Sequence, residues 1–146
     1  MAIIQATPLS HEELTAIKPH SYRVLAVDDD KNCAKVMAWL LESLGHTAQI
    51  ALDGKTAIEL AKCFHPDVVL MDIGLPEMNG YEICRAMRND PGLQHTLFIA
   101  LTGWGQKEHR ELSKQAGFDY HLVKPVDIEA LKKIFSELDK ARVGAG

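Results

Sequence analysis

Five short segments with strand character alternate in this chain with segments whose apolar residues recur at helical spacing. The strand-like segments occupy residues 24–27, 47–52, 68–71, 97–101 and 120–123, and the first, third and fourth are continuous apolar runs. Short apolar runs bounded by turn residues are typical of strands that are buried on both faces. Strands that alternate with helices predict an α/β fold, in which one five-stranded parallel sheet carries helices on both faces through right-handed crossovers.

The segments between the runs predict amphipathic helices with one buried stripe each. The expected core residues are Cys33, Val36, Met37, Leu40 and Leu44; Ala57, Ile58, Ala61 and Phe64; Ile83, Cys84 and Met87; and Ile128, Leu131, Ile134, Phe135 and Leu138. The predicted helix over residues 106–116 differs, because Leu112 is almost its only large apolar residue. We therefore expect this helix to be held loosely and to be the natural moving part.

Composition excludes several classes of protein. The formal net charge is -4 and no basic cluster stands out, which argues against a nucleic-acid surface. The apolar runs are too short to cross a bilayer, and the N-terminus lacks the basic start and apolar core of a signal peptide. Cys33, Cys63 and Cys84 fall inside predicted helices without metal-ligand spacing, so we interpret them as small core residues. These features predict a cytoplasmic protein, or a cytoplasmic piece of one, in a reducing compartment.

The 146 residues are enough for one domain with a sizeable core. Strong patterning begins at Tyr22 and ends near Lys140, so we expect residues 22–140 to form that domain. Residues 1–21 are predicted to be an N-terminal appendage or a linker, and residues 141–146 a C-terminal tail.

Polar residues follow four of the predicted strands. Asp28 and Asp29 follow the first strand, Asp72 the third, Thr102 the fourth and Lys124 the fifth. Because the carboxyl ends of parallel strands lie at one edge of a sheet, these side chains should converge. Three close carboxylates repel one another and need a divalent cation or protonation, and hard oxygen ligands suit Mg²⁺. A phosphoryl group on Asp72 fits the lysine and the hydroxyl that face the acids.

Simpler roles exist for most of these residues. Asp28 and Asp29 could cap the first helix, although one cap does not explain three acids in a row, and Asp30 is the better candidate for the cap. Thr102 could equally cap the helix that follows its strand. Lys124 could be a surface lysine, yet a buried strand delivers it towards the acids.

From Tyr22 to about Lys140 the chain resembles the receiver domain of two-component response regulators. The motifs that carry the resemblance are an acidic pair after the first strand, Asp-Gly after the second, Asp-x-x-Leu-Pro-x-Met-x-Gly after the third, Leu-Thr after the fourth and Lys-Pro after the fifth. The resemblance implies the flavodoxin-like (βα)5 receiver fold.

The resemblance also implies a role for each site residue. Asp72 would be the phosphoacceptor, and Asp28, Asp29, Asp72 and the carbonyl of Gly74 would bind Mg²⁺. Thr102 would be the switch hydroxyl that bonds the phosphoryl group, and Lys124 would form an ion pair with the same group. The peptide bond before Pro125 would be cis.

Two positions depart from the family's commoner pattern. His121 stands where the family often has a tyrosine or phenylalanine that swings inward on activation. We keep His121 as a switch candidate, although a lone histidine at such a position is more often a polar surface residue than a functional one. Trp104 is a bulky residue two places after Thr102. Residues 101–106 and 121–127 particularly resemble receivers of hybrid histidine kinases.

The implied function is phosphoryl transfer in a two-component phosphorelay, by a protein that catalyses only its own phosphorylation and dephosphorylation. Its partners would be a sensor histidine kinase or phosphotransfer protein, and a downstream protein that contacts the surface of the fourth and fifth βα units. A homodimer is a further expectation, whereas nucleic acid and membrane are not expected partners. The chain could be a stand-alone receiver or a piece of a larger hybrid kinase.

An Mg²⁺-dependent phosphatase with an aspartate nucleophile is the alternative from another class. Asp28 and Asp30 form the Asp-x-Asp signature of that superfamily. However, Asn32 replaces its following threonine or valine, and nothing in the sequence resembles a substrate cap domain.

Overall fold

The computed structural model describes residues 20–75, 79–103 and 114–145. Five strands form one parallel sheet in the order β2-β1-β3-β4-β5. The strands are β1 (Arg23–Val27), β2 (Thr47–Ala51), β3 (Val68–Asp72), β4 (Leu97–Thr102) and β5 (Tyr120–Val123). The predicted five-stranded parallel sheet is confirmed, and β3 is its central strand.

Four helices are complete in the described residues: α1 (Lys31–Ser43), α2 (Gly54–Phe64), α3 (Gly80–Arg88) and α4 (Ile128–Ala145). A short 3-10 helix over Pro91–Leu93 precedes β4. Residues 114–116 are helical, but the rest of the predicted helix 106–116 lies outside the described residues, as do Trp104 and residues 1–19. Helix α4 runs past residue 140, so residues 141–145 are helical.

The core forms two layers, one on each face of the sheet. Successive side chains of a strand point to opposite faces. Leu25 and Met71 therefore belong to the layer under α2 and α3, whereas Val24 and Leu70 belong to the layer under α1 and α4. All four side chains are buried, which explains why β1 and β3 are apolar without alternation. The predicted helices on both faces are confirmed.

Several expected core residues lie at the surface instead. Val36 is 59% exposed and Ile128 is 45% exposed. Cys33 and Cys63 are exposed as well, and Cys84 alone of the three cysteines is buried. The cause is the narrow width of each buried stripe, because one residue rotates the side chain by about 100° around a helix. The prediction of core positions was wrong for these four residues.

Each of three helices begins at a side chain that caps its first turn. Asp30 caps α1 by accepting the N–H groups of Asn32 and Cys33 at 2.9 and 3.2 Å. Asp53 caps α2 and Asn79 caps α3 in the same way. The proposed cap role of Asp30 is confirmed, and it leaves Asp28 and Asp29 for the edge of the sheet.

A buried histidine joins the start of β1 to α4. The Tyr22 N–H donates to His46 Nδ1 at 3.1 Å, and the imidazole stacks on Phe135 with ring centroids 4.1 Å apart. Burial lowers the pKa of His46; the carboxylate of Asp139 opposes this shift, and His20 adds to it. His46 is therefore held in its neutral form, with Nδ1 unprotonated.

Candidate functional site

Three aspartates meet at the carboxyl edge of the sheet. β1 and β3 are neighbours in register, so the residues at their carboxyl ends, Asp28 and Asp72, lie next to each other. One carboxylate oxygen from each of Asp28, Asp29 and Asp72 lies within 4.8 Å of the other two. Asp28 is buried, Asp72 is half-buried and Asp29 is exposed. The structure thus brings together the three acids in the way that the strand ends predict.

Lys124 crosses from the end of β5 to two of these acids. Its Nζ donates to Asp28 Oδ2 at 3.0 Å and to Asp72 Oδ2 at 2.8 Å. Burial by itself lowers the pKa of Lys124, but the hydrogen bonds and charges of Asp72 and Asp28 outweigh it and raise that pKa above its ordinary value. The bond between Lys124 and Pro125 is cis, as predicted.

Backbone amides hold the second oxygen of two acids. Asp28 Oδ1 accepts the N–H of Asp30 at 3.0 Å, and Asp72 Oδ1 accepts the N–H of Gly74 at 2.8 Å. Such turns fix the orientation of a carboxylate before any ligand arrives. Gly74 is exposed beside Asp72, and the role of its carbonyl as a metal ligand stays a prediction.

The loop after β3 is closed tightly by Gly80. A Cβ at Gly80 would lie 2.6 Å from Ile73 Cα, which real Cβ atoms do not tolerate. The Gly80 N–H also donates to the Ile73 carbonyl at 3.2 Å. A glycine is required here by this close approach of the backbone, which keeps the start of α3 against Ile73, the residue after Asp72.

Thr102 contacts a histidine that sequence reasoning left undecided. Thr102 ends β4 and is only 1% exposed, and its Oγ1 lies 2.8 Å from His121 Nε2. In the register of β4 and β5, Thr102 lies opposite Val123, and His121 lies two residues earlier on the same face. Strand register is the signal that could have found this contact, and single-sequence patterns do not specify it.

The acid cluster fits a hard divalent cation by its chemistry. All three candidate side chains offer carboxylate oxygens, and among the described residues the cluster contains no histidine or cysteine. Mg²⁺ prefers such oxygen donors and keeps several waters, which the exposed Asp29 side permits. Asp28, Asp29 and Asp72 would hold the ion. Lys124 already donates hydrogen bonds to one carboxylate oxygen of Asp28 and one of Asp72.

A cavity of about 520 Å³ opens beside the acids. It lies between α1 and the connection from β5 to α4, and its polar lining residues include Asp28, Asn32 and Lys124. Most of the lining is apolar and includes Val36, Met37 and Val126.

The sheet order, the acids after β1 and β3 and the lysine after β5 define a flavodoxin-like α/β protein with a charged site at its carboxyl edge. The chain belongs to the response regulator receiver domain family, whose family model matches residues 24–136. It is therefore a receiver domain of two-component signalling.

Individual relatives agree with this assignment. The polar-differentiation response regulator DivK of Brucella ovis is 33% identical over 105 residues, which cover 72% of this chain and 85% of DivK. The chemotaxis response regulator CheY4 of Vibrio cholerae superposes with a TM-score of 0.74 at 30% identity, covering 81% of this chain and 98% of that one.

A third relative is the receiver domain of a sensor histidine kinase from Pseudomonas aeruginosa PAO1, with a TM-score of 0.74 at 30% identity. The match covers 83% of this chain and 99% of that one, whose structure has a magnesium ion coordinated in the active-site cleft. Among the residues that the structure describes, no helix combines the length and apolarity needed to span a bilayer.

Proposed function

We propose that this receiver accepts a phosphoryl group on Asp72 from a sensor histidine kinase or phosphotransfer protein. The observation that carries the proposal is the position of Lys124 Nζ, which bonds Asp28 and Asp72 within a cluster of three acids. A nucleophilic carboxylate next to a fixed cation and an acidic cation site is the arrangement that phosphoryl transfer needs.

The reaction follows from these positions. One oxygen of the Asp72 carboxylate attacks the phosphorus of a phosphohistidine in line, and the new O–P bond forms as the P–N bond breaks. The donor imidazole, protonated on its other nitrogen, leaves as the neutral base. Lys124 stabilises the charge on the transferring oxygens, and the Gly74 N–H keeps the Asp72 carboxylate oriented.

Mg²⁺ is proposed to bind Asp28, Asp29, Asp72 and the carbonyl of Gly74. When bound, it supplies a second positive charge that neutralises phosphoryl oxygens. That role is supported by the all-carboxylate donor set of this chain and by the magnesium ion in the Pseudomonas aeruginosa relative.

Phosphorylation is proposed to change the surface of the fourth and fifth βα units. Bonds from the phosphoryl group to Thr102 and Lys124 would be charge-assisted, worth about 1.5–3 kcal/mol each. A downstream protein then reads the altered surface, and a second copy of the chain is another candidate reader. In this proposal the chain catalyses only its own phosphorylation and dephosphorylation.

The proposed receiver domain spans residues 22–140, with residues 1–21 as an N-terminal appendage or linker. Residues 141–146 are predicted to be a C-terminal tail, and the last helix, α4, continues into them as far as residue 145. Membership of a hybrid kinase stays a prediction. The alternative phosphatase would need Asp30 next to the nucleophile Asp28, but both described bonds of Asp30 Oδ1 go to the first turn of α1. The family assignment also favours the receiver.

Acetyl phosphate with Mg²⁺ tests the proposal, with intact mass as the readout. We expect one phosphoryl group on the wild type and none on Asp72→Asn. Asp53→Asn is the matched control, because asparagine keeps the cap of α2 and Asp53 follows β2, which β1 separates from β3 and Asp72. Labelling of Asp72→Asn, or repeated turnover of p-nitrophenyl phosphate by the wild type, would contradict the proposal.

A further inference from the structure

The hydroxyl of Thr102 has one hydrogen-bond partner among the described residues. Its Oγ1 lies 2.8 Å from His121 Nε2, and the side chain is almost completely buried. β3 and β4 pair Asp72 with Leu101, so Thr102 lies one residue further along, at the same edge as the acids. The proposed switch hydroxyl is therefore already bonded before any phosphoryl group arrives.

Burial decides the direction of this hydrogen bond. A hydroxyl has one proton to donate and two lone pairs that accept. If Nε2 carried the proton, the Thr102 O–H would be buried without an acceptor among the described residues, which is the costlier arrangement. If Nε2 is bare, the hydroxyl donates to it and only a lone pair is left unused. The second arrangement is favoured, and it puts the imidazole proton on Nδ1.

We propose that His121 is a positioning residue, which holds the Thr102 hydroxyl in the unphosphorylated state and competes with the phosphoryl group for its single proton. The inference rests on the proposed function of Asp72. The proposed role of His121 differs from a switch in which an aromatic side chain rotates. Here one hydrogen bond restrains the Thr102 hydroxyl, and the imidazole can stay in its place on β5 when that bond breaks.

The competition has a measurable size. Thr102 must give up the bond to His121 before it donates to a phosphoryl oxygen, since it has only one proton. One ordinary hydrogen bond corresponds to a shift of about fivefold in this equilibrium. Removal of the acceptor nitrogen should therefore favour the phosphorylated conformation by about that factor.

Beryllofluoride, a mimic of the acyl phosphate, is the probe, and calorimetry with Mg²⁺ measures its affinity. We expect His121→Phe, which fills the space without an acceptor, to bind beryllofluoride about fivefold more tightly than the wild type. His121→Gln should stay near the wild type, because its amide oxygen can accept the hydroxyl. His95→Phe is the control, since His95 is an exposed histidine on the turn before β4. His121→Leu provides a second variant without an acceptor if the phenylalanine disturbs folding.

A double-variant cycle separates the hydrogen bond from packing. In the Thr102→Val background, His121→Phe should leave the affinity for beryllofluoride unchanged. Nitrogen NMR of the wild type should show His121 with a bare Nε2, and the signal should shift when beryllofluoride binds. The NMR measurement needs no phosphorylation chemistry, so it tests the resting bond by itself.

The outcomes distinguish this inference from the proposed function. If the wild type binds no beryllofluoride and gains no phosphoryl group, the function of Asp72 is wrong and the inference falls with it. If the wild type binds and His121→Phe binds no more tightly, the inference alone is wrong. An equal gain in the Thr102→Val background, or a protonated Nε2 in the resting protein, also overturns it.

Discussion

Lys124→Met should destabilise the metal-free protein far more than the Mg²⁺-bound protein. In the structure Lys124 Nζ is the cation that bonds Asp28 and Asp72, whose side chains are mostly buried. The methionine fills similar space but leaves three acids facing one another without a counter-charge.

The magnitude follows from burial. Loss of one partner of a fully buried ion pair costs about 3–5 kcal/mol. The Lys124 side chain keeps 33% of its exposure, and solvent screens the charges, so we expect a loss of about 2 kcal/mol in the free energy of unfolding. With Mg²⁺ the difference in the free energy of unfolding between the two proteins should become much smaller. In Lys124→Met the ion no longer competes with a lysine for the carboxylate oxygens. A ligand at one hundred times its Kd adds about 2.7 kcal/mol to the free energy of unfolding.

Urea unfolding followed by circular dichroism, with EDTA and with saturating Mg²⁺, measures both effects. Most of the loss seen in EDTA should disappear in Mg²⁺, and the apparent Kd for Mg²⁺ should be lower for Lys124→Met than for the wild type. Lys132→Met is the control, because Lys132 is exposed and its one ion pair among the described residues is with Glu129 at 3.7 Å. An equal loss of stability in both buffers would refute the view of Lys124 as the counter-charge of the metal site.

Three further predictions concern pH, packing and the lifetime of the phosphorylated state. The folded-state pKa of His46 is lowered, so the unfolded chain binds the proton more readily, and stability should fall as the pH drops below about 6.5. His46→Gln, which can still accept the Tyr22 N–H, should flatten that dependence in unfolding curves at pH 5 to 8; an unchanged slope would contradict the assignment. Gly80→Ala should lower the unfolding midpoint and slow labelling by acetyl phosphate, because its Cβ would clash with Ile73; equal rates and stability would count against the close approach. Gly74→Asn should shorten the lifetime of phosphorylated protein, because the side chain can orient an attacking water and a Cβ at Gly74 makes only an ordinary contact; equal decay of the phosphate by mass spectrometry would sink that idea.

The fold and the acid cluster were accessible from sequence because both follow from one-dimensional patterns. The apolar run before Asp72 predicts a doubly buried strand, and the parallel topology then brings the strand ends together. The bond between Thr102 and His121 depends on the register of β4 against β5, which the pattern leaves open. The exposure of Val36 likewise depends on how α1 is rotated against the sheet, and one turn of helix contains several apolar candidates.

The contacts of Lys124 also have a consequence for how the protein folds. Lys124 and Asp28 are 96 positions apart in the chain, and Lys124 and Asp72 are 52 positions apart. Contacts between such distant residues carry a large loop-closure entropy and form only after the intervening chain is ordered. The site is assembled from the first, third and fifth strands, so a nascent or partly folded chain cannot present it. If Asp72 accepts a phosphoryl group as proposed, labelling of Asp72 would therefore report that β1, β3 and β5 are in place.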